Sequence, residues 1–236
     1  MNIEKLIVTL ALVVLAAPST QAQGTFQDFD FESANLSPIP SGQYGGEVPI
    51  SSALPGWNAS IGGVSVTQVL QNNYTGGATC VDLFGPNWTL LGPGIIGGNY
   101  TVYLQAFSSS QGNVSLWQNG TIPANAASLE FSAWSQYNPA YFLVSFAGNN
   151  LSPVMLSSGT APSGQPYDVF GVNIAPYAGQ TGQLQFTALD NNPPGNIELD
   201  DITFPTQPIP EPSPLALTGV GALLFALYRR LAAKWP

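Results

Sequence analysis

Carboxylates are almost the only charged side chains in this sequence, so they limit the chemistry that it could perform. The four basic residues are Lys5, Arg229, Arg230 and Lys234, all near the two ends, and there is no histidine. Without histidine, no imidazole can activate a serine or cysteine nucleophile. Without a central lysine or arginine there is neither a Schiff base nor a phosphate clamp. Glycoside hydrolysis remains open, because it needs only two facing carboxylates.

No motif marks any pair of acids as catalytic. Asp82, Glu130, Asp168 and Asp190 are spread along the chain without a shared pattern. In a protein with few charged residues, acids usually lie at the surface and keep the protein soluble. We therefore interpret these four as surface residues. We therefore expect a protein that is not an enzyme and has no catalytic residues.

The charge balance also limits the partners. Between residues 24 and 209 there are 11 acidic residues and no basic one, so this region carries a charge of about −11. Nucleic acids and anionic membrane surfaces bind proteins through lysine and arginine. We expect no nucleic-acid partner.

Two adjacent acids interrupt the last apolar stretch, NIELDDITF. The apolar positions are Ile197 and Leu199, then Ile202 and Phe204, so the alternation slips by one at Asp200 and Asp201. Such a slip predicts a β-bulge. Two carboxylates in an apolar strand require compensation, which a metal ion, protonation or solvent could supply. Ca²⁺ prefers oxygen ligands of this type, whereas a solvated acid pair at a strand end is the equally weighted alternative.

Aromatic residues are the second set of candidates. Trp134 lies on the polar side of its strand, Tyr137 follows it closely, and Trp88 lies in the loop-like sequence GPNWTLLGPG. Exposed aromatic rings can stack on the apolar face of a sugar, so these three residues are candidate glycan contacts. The alternative is that they fill the core or cover sheet edges, as most aromatic residues do. Trp57 and the single cysteine, Cys80, are expected to be buried.

Alternation of apolar and polar residues predicts β-structure almost throughout. Leu129, Phe131 and Ala133 share one face of a strand, and Leu184, Phe186 and Ala188 share one face of another. The segment YFLVSFA is apolar on both faces, as in a central strand. Many short strands separated by Gly, Pro, Asn and Ser predict an all-β sandwich with a jelly-roll topology.

Short segments at both ends of this region resemble galactose-binding-type jelly rolls, a group that includes carbohydrate-binding modules. The segments are DFDFES, LPGW, CVDLFG, SLWQNGTIPANAASLEF and NIELDDITF. The resemblance implies that the first and last strands meet and that a structural Ca²⁺ joins them. A glutamate after an early phenylalanine contributes to that site in the resembling proteins, and here it corresponds to Glu32. Glu32, Asp200 and Asp201 are thus the candidate Ca²⁺ ligands.

The N-terminus has the pattern of a secretory signal peptide. Lys5 precedes an apolar run from Ile7 to Ala17, and small residues at Thr20 and Ala22 suit cleavage before Gln23. We therefore expect residues 1–22 to be removed on export.

The C-terminus combines Pro210-Glu211-Pro212, an apolar segment from Leu215 to Tyr228, and the pair Arg229-Arg230. The segment would be about 21 Å long as a helix, shorter than a bilayer core of roughly 30 Å. This order resembles the PEP-CTERM sorting signal of Gram-negative bacteria. The resemblance implies an exosortase-like membrane enzyme as a partner and an inner-membrane precursor that is later released to the cell envelope, surface or extracellular matrix. A plain membrane anchor and a GPI-type signal are the alternatives.

These features predict four parts of the chain. They are a signal peptide (1–22), a jelly-roll domain (23–205), a Pro-rich stalk (206–214) and a membrane helix with a basic tail (215–236). Two functions remain open. One is a non-enzymatic envelope or matrix protein associated with exopolysaccharide, and the other is a dedicated carbohydrate-binding module with one defined glycan.

Overall fold

The protein is an all-β sandwich of two sheets, seen in a computed structural model. The structure describes residues 25–73, 78–88, 94–107, 111–135, 141–191 and 195–209. Helical elements within these ranges include one short α-helix, α1 (Ile50–Ala53), and a 3₁₀ turn at Ala175–Tyr177. The prediction of an all-β sandwich is confirmed at this level.

The larger sheet has eight strands. All neighbouring strands are antiparallel except one pair, Gln68–Gln71 and Cys80–Phe84, which is parallel. In spatial order the strands are β1 (Glu47–Pro49), β4 (Gln68–Gln71), β5 (Cys80–Phe84), β6 (Thr101–Gln105), β14 (Asn196–Thr203), β8 (Ser128–Trp134), β12 (Pro166–Asn173) and β11 (Val154–Thr160).

The smaller sheet has six strands, and all of its neighbours are antiparallel. Hairpin turns with positive φ at both central residues join two strand pairs, Gly62-Gly63 (58° and 79°) and Ala147-Gly148 (48° and 78°). Such turns match the natural twist of strands. In spatial order the strands are β10 (Asn149–Leu151), β9 (Phe142–Phe146), β13 (Thr181–Ala188), β7 (Val114–Thr121), β2 (Asn58–Ile61) and β3 (Val64–Val66).

The core lies between the two sheets and is formed by alternate residues of the strands. The predicted inward faces of β8 and β13 are confirmed, since Leu129, Phe131, Leu184 and Phe186 are all buried in one apolar cluster. Burial of each such side chain contributes about 1.5–3 kcal/mol. Trp57 belongs to the same cluster, as expected, and its indole N–H donates to the Asp28 carbonyl oxygen at 2.9 Å. Cys80 is also buried, as expected.

The prediction that YFLVSFA forms a central strand with two buried faces is wrong in part. Strand β9 has a neighbour on each side, but β10 beside it is the three-residue edge strand. Only Val144 and Phe146 are buried, whereas Leu143 and Ser145 are partly exposed on the outer face. The difference arises because that face of the sheet is left open.

Several predictions fall outside the described residues. These are the signal peptide, Tyr137, and the sorting-signal residues Pro210, Glu211, Pro212, Arg229 and Arg230. In the part of the chain that the structure describes, no helix has the length and apolarity needed to cross a membrane.

Candidate functional site

The outer face of the six-stranded sheet forms an open groove of about 470 Å³, hereafter the sheet groove. Alternation in β7 and β13 turns Leu116 and Phe186 into the core and leaves Trp117 and Gln185 on the outer face, where they are paired across the strands. Nine side chains that line the groove, Gln185 among them, carry a hydroxyl or an amide. They are Ser60, Ser65, Asn113, Ser115, Ser145, Asn150, Gln183, Gln185 and Thr187.

Hydrogen bonds within the sheet groove hold part of this polar surface in place. The Ser115 and Thr187 hydroxyls lie 2.9 Å apart on paired positions of β7 and β13. The Gln185 side-chain amide donates to Ser115 Oγ at 3.2 Å and to Thr187 Oγ1 at 2.9 Å. The three side chains thus form one hydrogen-bonded cluster, and both hydroxyls in it can donate as well as accept.

The chemistry of the sheet groove suits a sugar. A partly exposed indole offers an apolar ring face, and the surrounding hydroxyls and amides both donate and accept hydrogen bonds. Binding sites commonly combine apolar surface with a few polar groups that set orientation. Sequence reasoning did not select Trp117, although Ser115, Trp117 and Asn119 form the polar side of the strand sequence VSLWQNGT.

The structure separates the predicted glycan contacts Trp134 and Trp88 from the sheet groove. Trp134 is partly buried on the outer face of the eight-stranded sheet, opposite Glu198 of β14, and borders a cavity of about 230 Å³. Trp88 stacks on Phe84 with ring centroids 4.7 Å apart, which gives it a packing role over that sheet. Neither residue lies beside Trp117, and Tyr137 is not among the described residues.

Glu32 bridges the N-terminal segment to the turn that precedes β6. Its Oε1 accepts the backbone N–H groups of Asn99 at 2.6 Å and Tyr100 at 2.9 Å, and its Oε2 accepts the Asn99 side-chain amide at 2.8 Å. Gly98 makes this approach possible, since it has φ of 52° and a Cβ placed there would lie 2.2 Å from Glu32 Oε1. The Glu32 carboxylate therefore has three N–H donors.

Asp200 and Asp201 lie at the predicted β-bulge, which is confirmed. The pairing of β14 with β8 shifts register between Asp200 and Thr203, and Asp201 has φ of 49°. The Asp200 carboxylate is buried and accepts from the Gly97 N–H at 3.0 Å, the Thr101 hydroxyl at 2.5 Å and the Asp201 N–H at 2.8 Å. Burial raises the pKa of Asp200 to about 8 despite these donors.

The protein itself supplies hydrogen-bond donors to two of the three predicted Ca²⁺ ligands, Glu32 and Asp200. No group of three or more Asp, Glu, Cys or His in the described ranges is placed to hold a metal ion. Each of these carboxylates has further lone pairs, so these hydrogen bonds leave both the protein donors and a cation as sources of compensation. The turn at residues 96–101 thus supplies compensation that sequence reasoning did not consider, and Ca²⁺ at this junction stays a prediction.

Two further acids are buried on the outer face of the eight-stranded sheet, on either side of Tyr103. Asp82 of β5 and Glu198 of β14 both pair with Tyr103 of β6, and both are fully inaccessible to solvent. The interpretation of Asp82 as a surface acid is therefore wrong. Its residue type favoured the surface, but its place on the internal strand β5, beside the buried Tyr103, buries it.

Burial controls the ionisation of both acids. It raises the pKa of Asp82 to about 7, partly offset by backbone donors such as Asn73 N–H at 2.9 Å from Oδ2. It also raises the pKa of Glu198 well above its ordinary range. The Gly94 backbone N–H opposes that rise, but neither Glu198 oxygen accepts a hydrogen bond of good geometry. With no cation among the described residues, burial favours the neutral form of both carboxyls.

Comparison with family models, curated proteins and solved structures found no match for this chain.

Proposed function

We propose that this chain is a non-enzymatic, exported envelope or matrix protein that associates with exopolysaccharide. The single observation that supports this function is the sheet groove, an open surface of hydroxyls and amides around Trp117. Its residues offer hydrogen bonds and one aromatic ring, and they include no nucleophile–base pair and no carboxylate. Such a surface binds a carbohydrate without changing it.

Export and sorting are the second part of the proposal. The signal peptide would direct the chain across the inner membrane, and the Pro210-Glu211-Pro212 tail would hold it there until an exosortase-like enzyme acts. Arg229 and Arg230 would remain on the cytoplasmic side, in accordance with the positive-inside rule. The mature protein would then reach the envelope, the cell surface or the extracellular matrix.

We also propose a jelly-roll topology for the sandwich. The packing of the N-terminal segment against the last strand supports it, because the Ile202 N–H donates to the Phe29 carbonyl oxygen at 3.0 Å. Phe26 and Phe29 pack against Phe204, with ring centroids 5.6 and 5.5 Å apart.

A dedicated carbohydrate-binding module with one defined glycan is the second candidate function. The hydrogen bonds from Gln185 to Ser115 and Thr187 favour it, because they hold these three side chains in one arrangement before a ligand binds. Promiscuous association with a matrix would not require this order.

Co-sedimentation of the full chain with exopolysaccharide from its own host tests the association. Trp117→Ala should remove most of the binding, whereas Tyr44→Ala, which truncates an aromatic residue that is 59% exposed elsewhere, should leave it unchanged. Equal binding by both variants would contradict the proposed surface. A glycan array then separates the two candidates, since one tight ligand indicates a dedicated module and weak binding to many indicates a matrix protein. Intact mass of the mature host protein tests both cleavages.

A further inference from the structure

We infer that the sheet groove binds an extended, uncharged polysaccharide and excludes acidic ones. This inference rests on the proposed function, since it names the class of glycan that the same surface would take. Exopolysaccharides include both neutral and acidic polymers, so the distinction decides which matrix component this protein would contact.

The lining of the sheet groove is polar but has no charge. All of its polar side chains are hydroxyls or amides, and its remaining members are Gly63, Trp117 and Leu143. These groups pair well with sugar hydroxyls, which also both donate and accept hydrogen bonds. A uronate, sulfate or phosphate group would lose water on entering the groove and would meet no cation in return, which is costly.

The charges around the sheet groove strengthen this selection. No lysine, arginine or histidine occurs between residues 6 and 228, so no neighbouring side chain can reach in to pair with an anion. Asp190 lies beside one end of the groove, where its backbone N–H donates to Asn113 Oδ1 at 2.8 Å. Like charges brought together at a binding surface oppose association.

The length of the sheet groove favours a polymer over a single sugar. Its lining comes from all six strands, from Asn150 on β10 through Trp117 on β7 to Ser65 on β3. Five steps between strands of about 4.8 Å each give a surface of roughly 24 Å. Trp117 is internal to this surface, so sugar units on both sides of the stacked ring could contact hydroxyls and amides.

Isothermal titration of the full chain with soluble polysaccharides tests the inference. The protein is kept in a polyoxyethylene detergent, which has no sugar headgroup, at low salt. The neutral probes are hydroxyethylcellulose, dextran and galactomannan, and the acidic probes are polygalacturonate and alginate. We expect at least one neutral polymer to bind, and both acidic polymers to bind at least about tenfold more weakly.

Three variants make the result specific to the groove. Trp117→Ala should abolish binding of the neutral polymer. Gln183→Lys adds one cation to the lining and should create salt-sensitive binding of polygalacturonate, whereas the matched neutral change Gln183→Met should not. Because Gln183 is partly exposed on the sheet surface, both changes should preserve the fold, which the melting temperature checks.

The outcomes separate this inference from the proposed function. Equal or tighter binding of an acidic polymer, lost in Trp117→Ala, would overturn the inference and leave the proposed function in place. No binding of any of the five polymers or of host exopolysaccharide would overturn both. Neutral binding that Trp117→Ala leaves intact would overturn the assignment to this groove.

Discussion

The outer faces of the two sheets use polar residues in opposite ways. On the six-stranded sheet the outer face is open and carries neutral groups around Trp117. On the eight-stranded sheet it is covered, and Asp82, Glu198 and Asp200 are fully buried there. Three of the acids in this protein are thus inaccessible to a ligand, whereas the side chains that line the accessible sheet groove carry no charge.

Aromatic residues show the same contrast. The ring of Phe84 stacks on those of Trp88 and Tyr103, with ring centroids 4.7 and 5.3 Å apart. These rings cover part of the outer face of the eight-stranded sheet. Trp117 has no ring contact of this kind among the described residues and remains partly exposed. An aromatic residue on a polar strand face can hence be a cover or a binding surface, depending on what lies above it.

The largest expected effect is a loss of stability as the pH rises. Asp82 and Asp200 have pKa values raised to about 7 and about 8, above an ordinary value of 3.8. The folded state keeps protons that the unfolded chain releases, so the free energy of unfolding should be highest below pH 4 and fall between about pH 4 and 8. Each acid should lower the free energy of unfolding by at most about 1.4 kcal/mol per pH unit. Urea unfolding at several pH values measures it.

Matched variants attribute this pH dependence to the covered face. Glu198→Gln removes a buried carboxyl that has no hydrogen-bond donor of good geometry, so it should flatten the slope and stabilise the protein at pH 8. Gln183→Glu places a new carboxyl on the open face, where water solvates it, and should leave the slope unchanged. Stability that rises from pH 4 to 8 in the wild type would contradict the buried acids.

Truncation of one ring on each face should give the next largest difference. Phe84→Ala leaves a cavity between Trp88 and Tyr103 and should cost about 3–5 kcal/mol. Trp117→Ala should cost about 1 kcal/mol, because its side chain is only partly buried on an open sheet. Chemical denaturation of both variants measures the gap. Similar losses would mean that the two faces are equally packed.

Gly98→Ala should have a smaller effect, on the turn that closes the covered face. The new Cβ would meet Glu32 Oε1, and Gly98 already has a positive φ, so we expect a loss of about 1–3 kcal/mol. Gly148→Ala is the control, since Gly148 has φ of 78° but open space around its Cα. The difference in melting temperature between the two variants isolates the contact with Glu32.

The smallest expected effect is that of metal removal. Glu32 and Asp200 have N–H and O–H donors in place of a cation, so EDTA and Ca²⁺ should leave the melting temperature unchanged. A midpoint that rises with Ca²⁺ and falls with EDTA would instead establish the Ca²⁺ ligands Glu32, Asp200 and Asp201, because a ligand of the native state stabilises it by mass action.

Sequence patterns were sufficient for the strands, the core and the bulge. Alternation in LEFSAW and QLQFTAL identified which residues face inward, because a sheet with one buried face imposes a period of two. The slip at Asp200-Asp201 located the bulge for the same reason. These features depend on local order along a single strand.

The functional surface depends on which strands become neighbours, and no single segment contains that information. Trp117 meets Gln185 only because β7 pairs with β13, 68 positions further along the chain. Asp82 and Glu198 are buried together only because both flank Tyr103 on β6. The turn at residues 96–101 that receives Glu32 also escaped prediction, since its donors are backbone N–H groups that every sequence has.

Tryptophan fluorescence during titration with a bound neutral polysaccharide tests the central claim most directly. Five tryptophans are present, and three single replacements separate the candidates on the two sheets. We predict that the fluorescence change on binding disappears in Trp117→Phe and persists in Trp134→Phe and Trp88→Phe. A change that persists in Trp117→Phe and disappears in Trp134→Phe or Trp88→Phe would place the ligand on the eight-stranded sheet and contradict the account.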